Sequence, residues 1–175
     1  MTPFLDQRRI RPAKRGGGFE VRLEPAEREL LASLPSQLVE LLDATAGDDA
    51  AVAADPALAR LFPRAYRDDC DNEANTDYHR LMGEDLRERH RSSLETLAAG
   101  AALDRIEIED LHAWAAALTQ LRLVLGARVG ITDELDWDDI DDSHPAANAF
   151  ALYGWLSWLQ EQVVESLTTT LPDPL

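Results

Sequence analysis

Apolar positions along this chain fall mostly into helical rhythm, with two short exceptions. Phe19, Val21 and Leu23 alternate with Glu20 and Arg22, the two-residue period of a half-buried strand. Ile106 and Ile108 repeat that alternation in RIEI. Each run leads directly into a helical pattern, so FEVRLEPAERELL and RIEIEDLHAWAAAL form two similar strand-then-helix units, and their strands are expected to pair into a small sheet. QRRIR, ahead of the glycines Gly16 to Gly18, reads as the hairpin partner of the first strand, with the glycines as a loop or tight turn.

The helical segments have readable punctuation. Pro25 suits a first helical position, and Leu30, Leu34, Leu38 and Leu41 line one face after it. Pro35 interrupts that stripe and predicts a kink or a split, because proline lacks an amide donor and clashes with the preceding turn. GDDAAVAADP reads as a loop, and Asp55 as the cap of a short helix opening at Pro56. A long helix is predicted from about Glu73 to Ala99, capped by Asp71 or Asn72. Tyr78, Leu81, Leu86, Leu94 and Leu97 form its core stripe, and Gly100 stops it. Another covers about Glu109 to Val129, with Leu111, Trp114, Leu118, Leu121 and Leu125 on one face. The last helix, capped by Ser143 with Pro145 near its start, runs to about Leu167. Phe150, Tyr153, Trp155, Leu156, Trp158, Leu159 and Val163 occupy more than one of its stripes, which predicts the central, most buried helix.

The fold class that follows is mainly α: a single-domain helical bundle of about four to five helices with a small N-terminal β element. Residues 1–17 are expected as a flexible basic arm, 18–170 as the domain, and 171–175 as a C-terminal tail. A length of 175 residues and a 45 % hydrophobic content suit one domain with a real core. No run of 18 apolar residues predicts a membrane span, and the first residues lack the apolar centre of a secretory signal, so a cytoplasmic location is expected.

Charge changes this picture. The net charge is −16, yet Arg8, Arg9, Arg11, Lys14, Arg15 and Arg22 stand against only Asp6 and Glu20 in residues 1–22. Tight duplex binding relies on a basic face for phosphate contacts, so the acidic body argues against autonomous DNA binding. The arm residues Arg8, Arg9, Arg11, Lys14 and Arg15 read either as a solubilising tail or as a contact to DNA backbone or RNA polymerase. Arg122 interrupts an apolar helix and Arg128 lies near that helix's C-terminus. Each reads as a structural ion pair with a carboxylate or as the lining of a partner-binding groove.

Other chemistry finds little footing. Seven carboxylates crowd Asp133 to Asp142, but an EF-hand register starting at Asp136 puts Asp141 where glycine is needed and Ala147 where glutamate is needed. The loop reads as solvated and as favouring the N-terminus of the last helix. His79 and His90 lie roughly 16 Å apart along a helix and cannot share a metal. HExxH, CxxC, GxSxG, Walker and GxGxxG patterns are all missing. No metal, no cofactor and no enzymatic activity are expected. Cys70 is the only cysteine, so these 175 residues cannot form an intramolecular disulfide.

The stretches GGGFEVRLEPAERELLASLPSQLVELL, LFPRAYRDD, EDLRERHRSSLETL, LTQLRLVLGARVGI and ALYGWLSWLQEQVVESL, in that order over about residues 15–168, together resemble the actinobacterial AosR-like oxidative-stress regulator family, formerly labelled a domain of unknown function. The resemblance implies a cytosolic transcriptional regulator that responds to oxidants and works with an alternative sigma factor at promoters, including those for cysteine biosynthesis. The family's described switch uses two nearby cysteines. Here the positions four residues either side of Cys70 are Tyr66 and Ala74, so the pair is missing. The redox options left to Cys70 are sulfenylation, a mixed disulfide with a small thiol, or a disulfide between two chains. Its neighbours Asp68, Asp69, Asp71 and Glu73 disfavour a thiolate, partly offset by Arg64 and Arg67. The reading is a non-enzymatic regulator that contacts a sigma factor or RNA polymerase, with a weak DNA contact through the arm. The alternative is a structural or adaptor protein without redox sensing, a homodimer through its Trp-rich helix.

Overall fold

A computed structural model describes residues 8–63, 72–132, 135, 140 and 143–170. Cys70, Arg64, Arg67, residues 1–7, the tail 171–175 and the acidic loop apart from Leu135 and Ile140 lie outside the described residues. The two alternating runs do pair. Strand β1 (Ile10–Pro12) runs antiparallel to β2 (Phe19–Val21), with Ile10 opposite Val21, and β2 runs antiparallel to β3 (Arg105–Ile106), with Phe19 opposite Ile106. Ile10, Phe19, Val21 and Ile106 are buried. Ile10 and Arg11, at the end of the QRRIR run read as the hairpin partner, belong with Pro12 to the outer strand of the sheet.

The glycine triplet closes this hairpin. Gly16, Gly17 and Gly18 all have positive φ, between 70° and 78°, a region that disfavours side chains. At Gly18 a Cβ would also meet the Ile106 carbonyl at 2.7 Å. The turn's carbonyls have a partner: Arg105 of β3 donates to the carbonyls of Arg15 and Gly17.

Helix α1 spans Pro25–Ala44 without a break. A capping box opens it, Glu24 and Glu27 each accepting the other's backbone N–H. Its buried face is Glu27, Leu31, Pro35, Leu38 and Leu42, so the predicted leucine stripe is rotated, with Leu30 exposed. Pro35 neither splits the helix nor ends it. It lies on the buried face of the helix and lines, with Val39, Leu94 and Ala98, a groove of about 250 Å³ between α1 and α4. Residues 49–54, expected as loop, form α2 (Asp49–Ala54), because Asp48 accepts from the Ala51 N–H and Val52 is buried. Asp55 caps α3 (Pro56–Ala59) as predicted, accepting from Ala57 and Leu58.

Helix α4 (Asn72–Gly100) is 29 residues long, whereas α1 has 20. The two are antiparallel and tied at both ends by arginines. Arg28 of α1 donates to the carbonyls of Ala101 (2.8 Å) and Leu103 (3.0 Å) and to Asp104 (2.7 Å), beyond the C-terminus of α4. Arg87 of α4 donates to the Leu42 carbonyl (2.6 Å) at the C-terminus of α1 and lies over the Phe62 ring. Each cation meets carbonyls at the C-terminal, negative end of the other helix. Alongside α1, Leu94 and Leu97 are buried, but beyond it Tyr78 is 38 % and Leu81 73 % exposed. The predicted α4 core stripe therefore fails in its N-terminal half.

Helix α5 (Ile108–Val129) opens with a Glu107–Asp110 capping box and ends at Gly130 in the left-handed region. Leu111, Trp114, Leu118 and Leu121 are buried as predicted. Helix α6 (Ala147–Thr168) starts without a side-chain cap; the neighbouring Ala146 N–H bonds His144 Nδ1, and Ser143 is not the cap. The central helix is α5, which packs against α1, α3, α4 and α6. The expectation that α6 is central is corrected: Tyr153, Trp155 and Trp158 are only partly buried, their amphipathic rings sitting at the edge of the core. Among the described residues no helix is long and apolar enough to cross a membrane.

Two predictions follow from this packing. A Cβ at Gly100 would lie 2.8 Å from Trp114 Nε1, and Trp114 is fully buried. Gly100→Ala should therefore destabilise the fold by about 1–3 kcal/mol in urea unfolding, although alanine ordinarily favours a helix.

His90 of α4 reaches the Leu61 carbonyl through Nε2 at 3.0 Å and packs edge-on to Phe62. Burial, joined by the Arg87 charge and opposed by the Leu61 bond, lowers its pKa below 6.5. The unfolded chain thus takes up this proton first. The His90 contribution is complete above about pH 6.5 and is lost as pH falls toward the folded value. His90→Gln, which keeps an N–H donor for Leu61, should flatten the stability curve just below pH 6.5 in urea unfolding at stepped pH.

Candidate functional site

The basic residues singled out in the sequence have very different fates. Arg9 is buried, 6 % exposed. Its Nε lies 3.1 Å from Glu27 Oε2 and its Nη1 3.5 Å from Glu24, while its backbone N–H donates to Gln162 Oε1 at 2.5 Å. Glu27 is just as enclosed, accepting also from the Glu24 N–H (2.7 Å) and from Trp155 Nε1 (3.3 Å). One carboxylate thus joins β1, α1 and α6. Arg8 forms an ion pair with Glu165 of α6. Arg11 bonds Glu20 at 3.1 Å, a carboxylate shared with Arg22. Lys14 and Arg15 are exposed in the hairpin turn. Three of the five arm cations are therefore engaged with the protein's own carboxylates.

The sequence carried no sign of Arg9's role. Its residue type is that of its neighbours, and only Glu27, far along the chain, separates it from them. The buried pair Gln120–Ser93, 2.9 Å between α5 and α4, was equally silent.

The two arginines of α5 open onto different grooves. Arg128 takes the ion-pair reading, its Nη2 bonding Asp55 Oδ2 at 2.5 Å. Burial favours protonation of Asp55, but the Ala57 N–H, Arg128 and the Leu58 N–H outweigh it and lower the pKa. Arg128 edges an apolar groove of about 360 Å³ between α1, α5 and α6, walled by Leu34, Leu41, Leu125 and Leu152.

Arg122 departs from the expected carboxylate pair. Its Nε donates to Ser157 Oγ (2.8 Å), Nη1 to Gln160 Oε1 (2.5 Å) and Nη2 to Tyr153 Oη (3.3 Å), with the guanidinium 5.2 Å from the Tyr153 ring centre. Gln160 is held in turn through its Nε2 to Thr119 at 2.7 Å. Arg122 lines a second groove, of about 400 Å³, with Glu161, Val164 and Glu165. The structure puts Arg122 in the lining of this groove and relates Arg8 to it only through the pair with Glu165. It leaves Arg128 on another and Lys14 and Arg15 at the hairpin. Among the described residues, no group of three or more His, Cys, Asp or Glu side chains could hold a metal ion.

A family model described as a domain of unknown function, DUF2017, matches residues 7–167. The chain is also similar to proteins named Oxidative stress regulator AosR from Mycobacterium tuberculosis (strain ATCC 25618 / H37Rv) and Mycobacterium bovis (strain ATCC BAA-935 / AF2122/97). Each is 32 % identical over 179 residues, covering 85 % of this chain and 82 % of the relative. No solved structure matches the chain.

The Arg9–Glu27 pair can be tested directly. Glu27→Gln leaves the Arg9 charge enclosed without its main counter-ion and should cost about 3–5 kcal/mol of stability in chemical unfolding. The double change Arg9→Met with Glu27→Leu removes both charges and should recover most of that loss.

Proposed function

This chain belongs to the DUF2017 family, and we propose that it is a non-enzymatic transcriptional regulator of the oxidative-stress response, working through contacts with a sigma factor or RNA polymerase. The observation that carries the reading is the match over nearly the whole described domain to proteins named as oxidative stress regulators. The arginine geometry favours protein contact over DNA contact. Arg8, Arg9 and Arg11 neutralise internal carboxylates, which leaves Lys14 and Arg15 as the exposed cations of that segment for phosphate. A chain carrying net −16 associates faster with a basic partner than with a polyanion.

The test is affinity purification of the wild type and Cys70→Ser from actinobacterial cells with and without peroxide. Recovery of a sigma factor or RNA polymerase subunits is the expected result. Recovery of a second copy of the chain, without either, would favour the adaptor reading instead. A peroxide response lost in Cys70→Ser would assign sensing to that thiol, and an identical response in both forms would place the sensor in the partner.

A further inference from the structure

Arg122 differs from most of the arginines that tie the helices together. Arg9, Arg28, Arg91 and Arg128 each face a carboxylate. Arg122 is partly buried, and its partners among the described residues are the neutral oxygens of Ser157, Gln160 and Tyr153. A partly desolvated charge without a counter-ion is an unfavourable arrangement. It persists here in a deliberate-looking cradle: three side chains orient the guanidinium, and Thr119 orients Gln160. A guanidinium has five N–H donors, so the three bonds leave donors free for an incoming acceptor. Fixing the fork beforehand lowers the entropy lost when a carboxylate binds.

The rest of the groove narrows the chemistry of the occupant. Val164 lies beside the cation and is 46 % exposed, which provides an apolar contact. Glu161 and Glu165 line the same groove, Glu165 already neutralised by Arg8. A polyanion such as a nucleic-acid backbone would be repelled by Glu161. A single carboxylate flanked by apolar, neutral or basic groups fits.

We propose that the Arg122 groove is a docking site for a partner protein segment that presents one Asp or Glu carboxylate to the guanidinium and an adjoining apolar side chain to Val164. This rests on, and deepens, the reading of the chain as a regulator acting through protein contacts. The acid-bearing segment belongs to a partner that is otherwise neutral or basic, in keeping with the acidic body of the chain.

Two experiments on the full chain test it. The first titrates the tripeptide acetyl-Leu-Asp-Leu-amide and its Asn counterpart into isotopically labelled protein at constant ionic strength. The Asp peptide should move the Arg122 Nε–H and Val164 methyl resonances, with the Asn peptide binding roughly tenfold or more weakly. Equal response to both peptides, no response, or the same response to inorganic phosphate at equal concentration would overturn the proposal.

The second measures binding to purified actinobacterial RNA polymerase holoenzyme. Arg122→Gln should weaken it roughly tenfold or more and Arg122→Lys by less, because lysine keeps the charge but loses the fork. Binding that is unchanged in Arg122→Gln would sink the docking site and leave the regulatory reading standing. Discrimination between the peptides with no holoenzyme binding would support the docking site while rejecting the assigned partner.

Discussion

The carboxylate of Glu27 is the point on which the N-terminal half of this fold turns. It sits inside α1, takes the Arg9 guanidinium from β1, the Trp155 indole from α6 and the Glu24 N–H at its own helix start. Removing an ion pair from water is expensive, and the attraction between the two charges need not repay it. Here the shortfall is met by hydrogen bonds that fill the carboxylate's acceptor sites. The consequence is positional. Arg9 cannot leave without stranding Glu27, so β1 is fixed against α1 and α6, and the Ser166 bond to the Ile10 carbonyl follows from the same docking. With β1 placed, the hairpin fixes β2, and β2 fixes β3 at the entrance to α5. A sheet of strands two and three residues long would be marginal by itself; anchored this way it becomes part of the bundle.

A second set of arginines governs the helices. Arg28 and Arg87 bind at opposite ends of the α1–α4 pair, each satisfying carbonyls released by the other helix. This sets the register and accounts for the long overhang of α4: α1 spans only the stretch of α4 between the two clamps. Tyr78 and Leu81 fall outside that stretch, which is why residues with core-like spacing end at the surface.

Local punctuation was legible in the sequence because its physics is local. Pro25, the Asp55–Pro56 cap and the alternation around Phe19 and Ile106 each act within a few residues, and each led to the right element. Other features depended on partners far along the chain. The α1 stripe was ambiguous because Leu30, Leu34 and Leu41 compete with Leu31 and Leu42 around the shared Leu38, and the packing of α1 on α4 and α5 decides between them. The split that Pro35 allowed does not occur: α1 continues through it with the proline on the buried face. Aromatic richness overstated the burial of α6, since Trp155 and Trp158 tolerate an edge. At the candidate site, Arg128 went to the expected kind of partner, whereas Arg122 went to neutral oxygens that no spacing rule would pick out.

The partition of arginines also bears on how an acidic protein with a basic beginning can work. Read as a sequence, residues 8–15 form a cationic strip. Folded, most of that charge is turned inward or matched, and its main effect is to tie the strand to α1 and α6. Arg8 then acts at a distance from its own segment: by neutralising Glu165 it removes one negative charge from the groove that holds Arg122. A cation oriented by Ser157, Gln160 and Tyr153 beside a neutralised glutamate has a more favourable local field for a carboxylate than the net charge of the chain suggests. The selectivity of such a groove arises from the contrast: a single acid is drawn to Arg122, while extended negative charge meets Glu161 and the surrounding acidic surface.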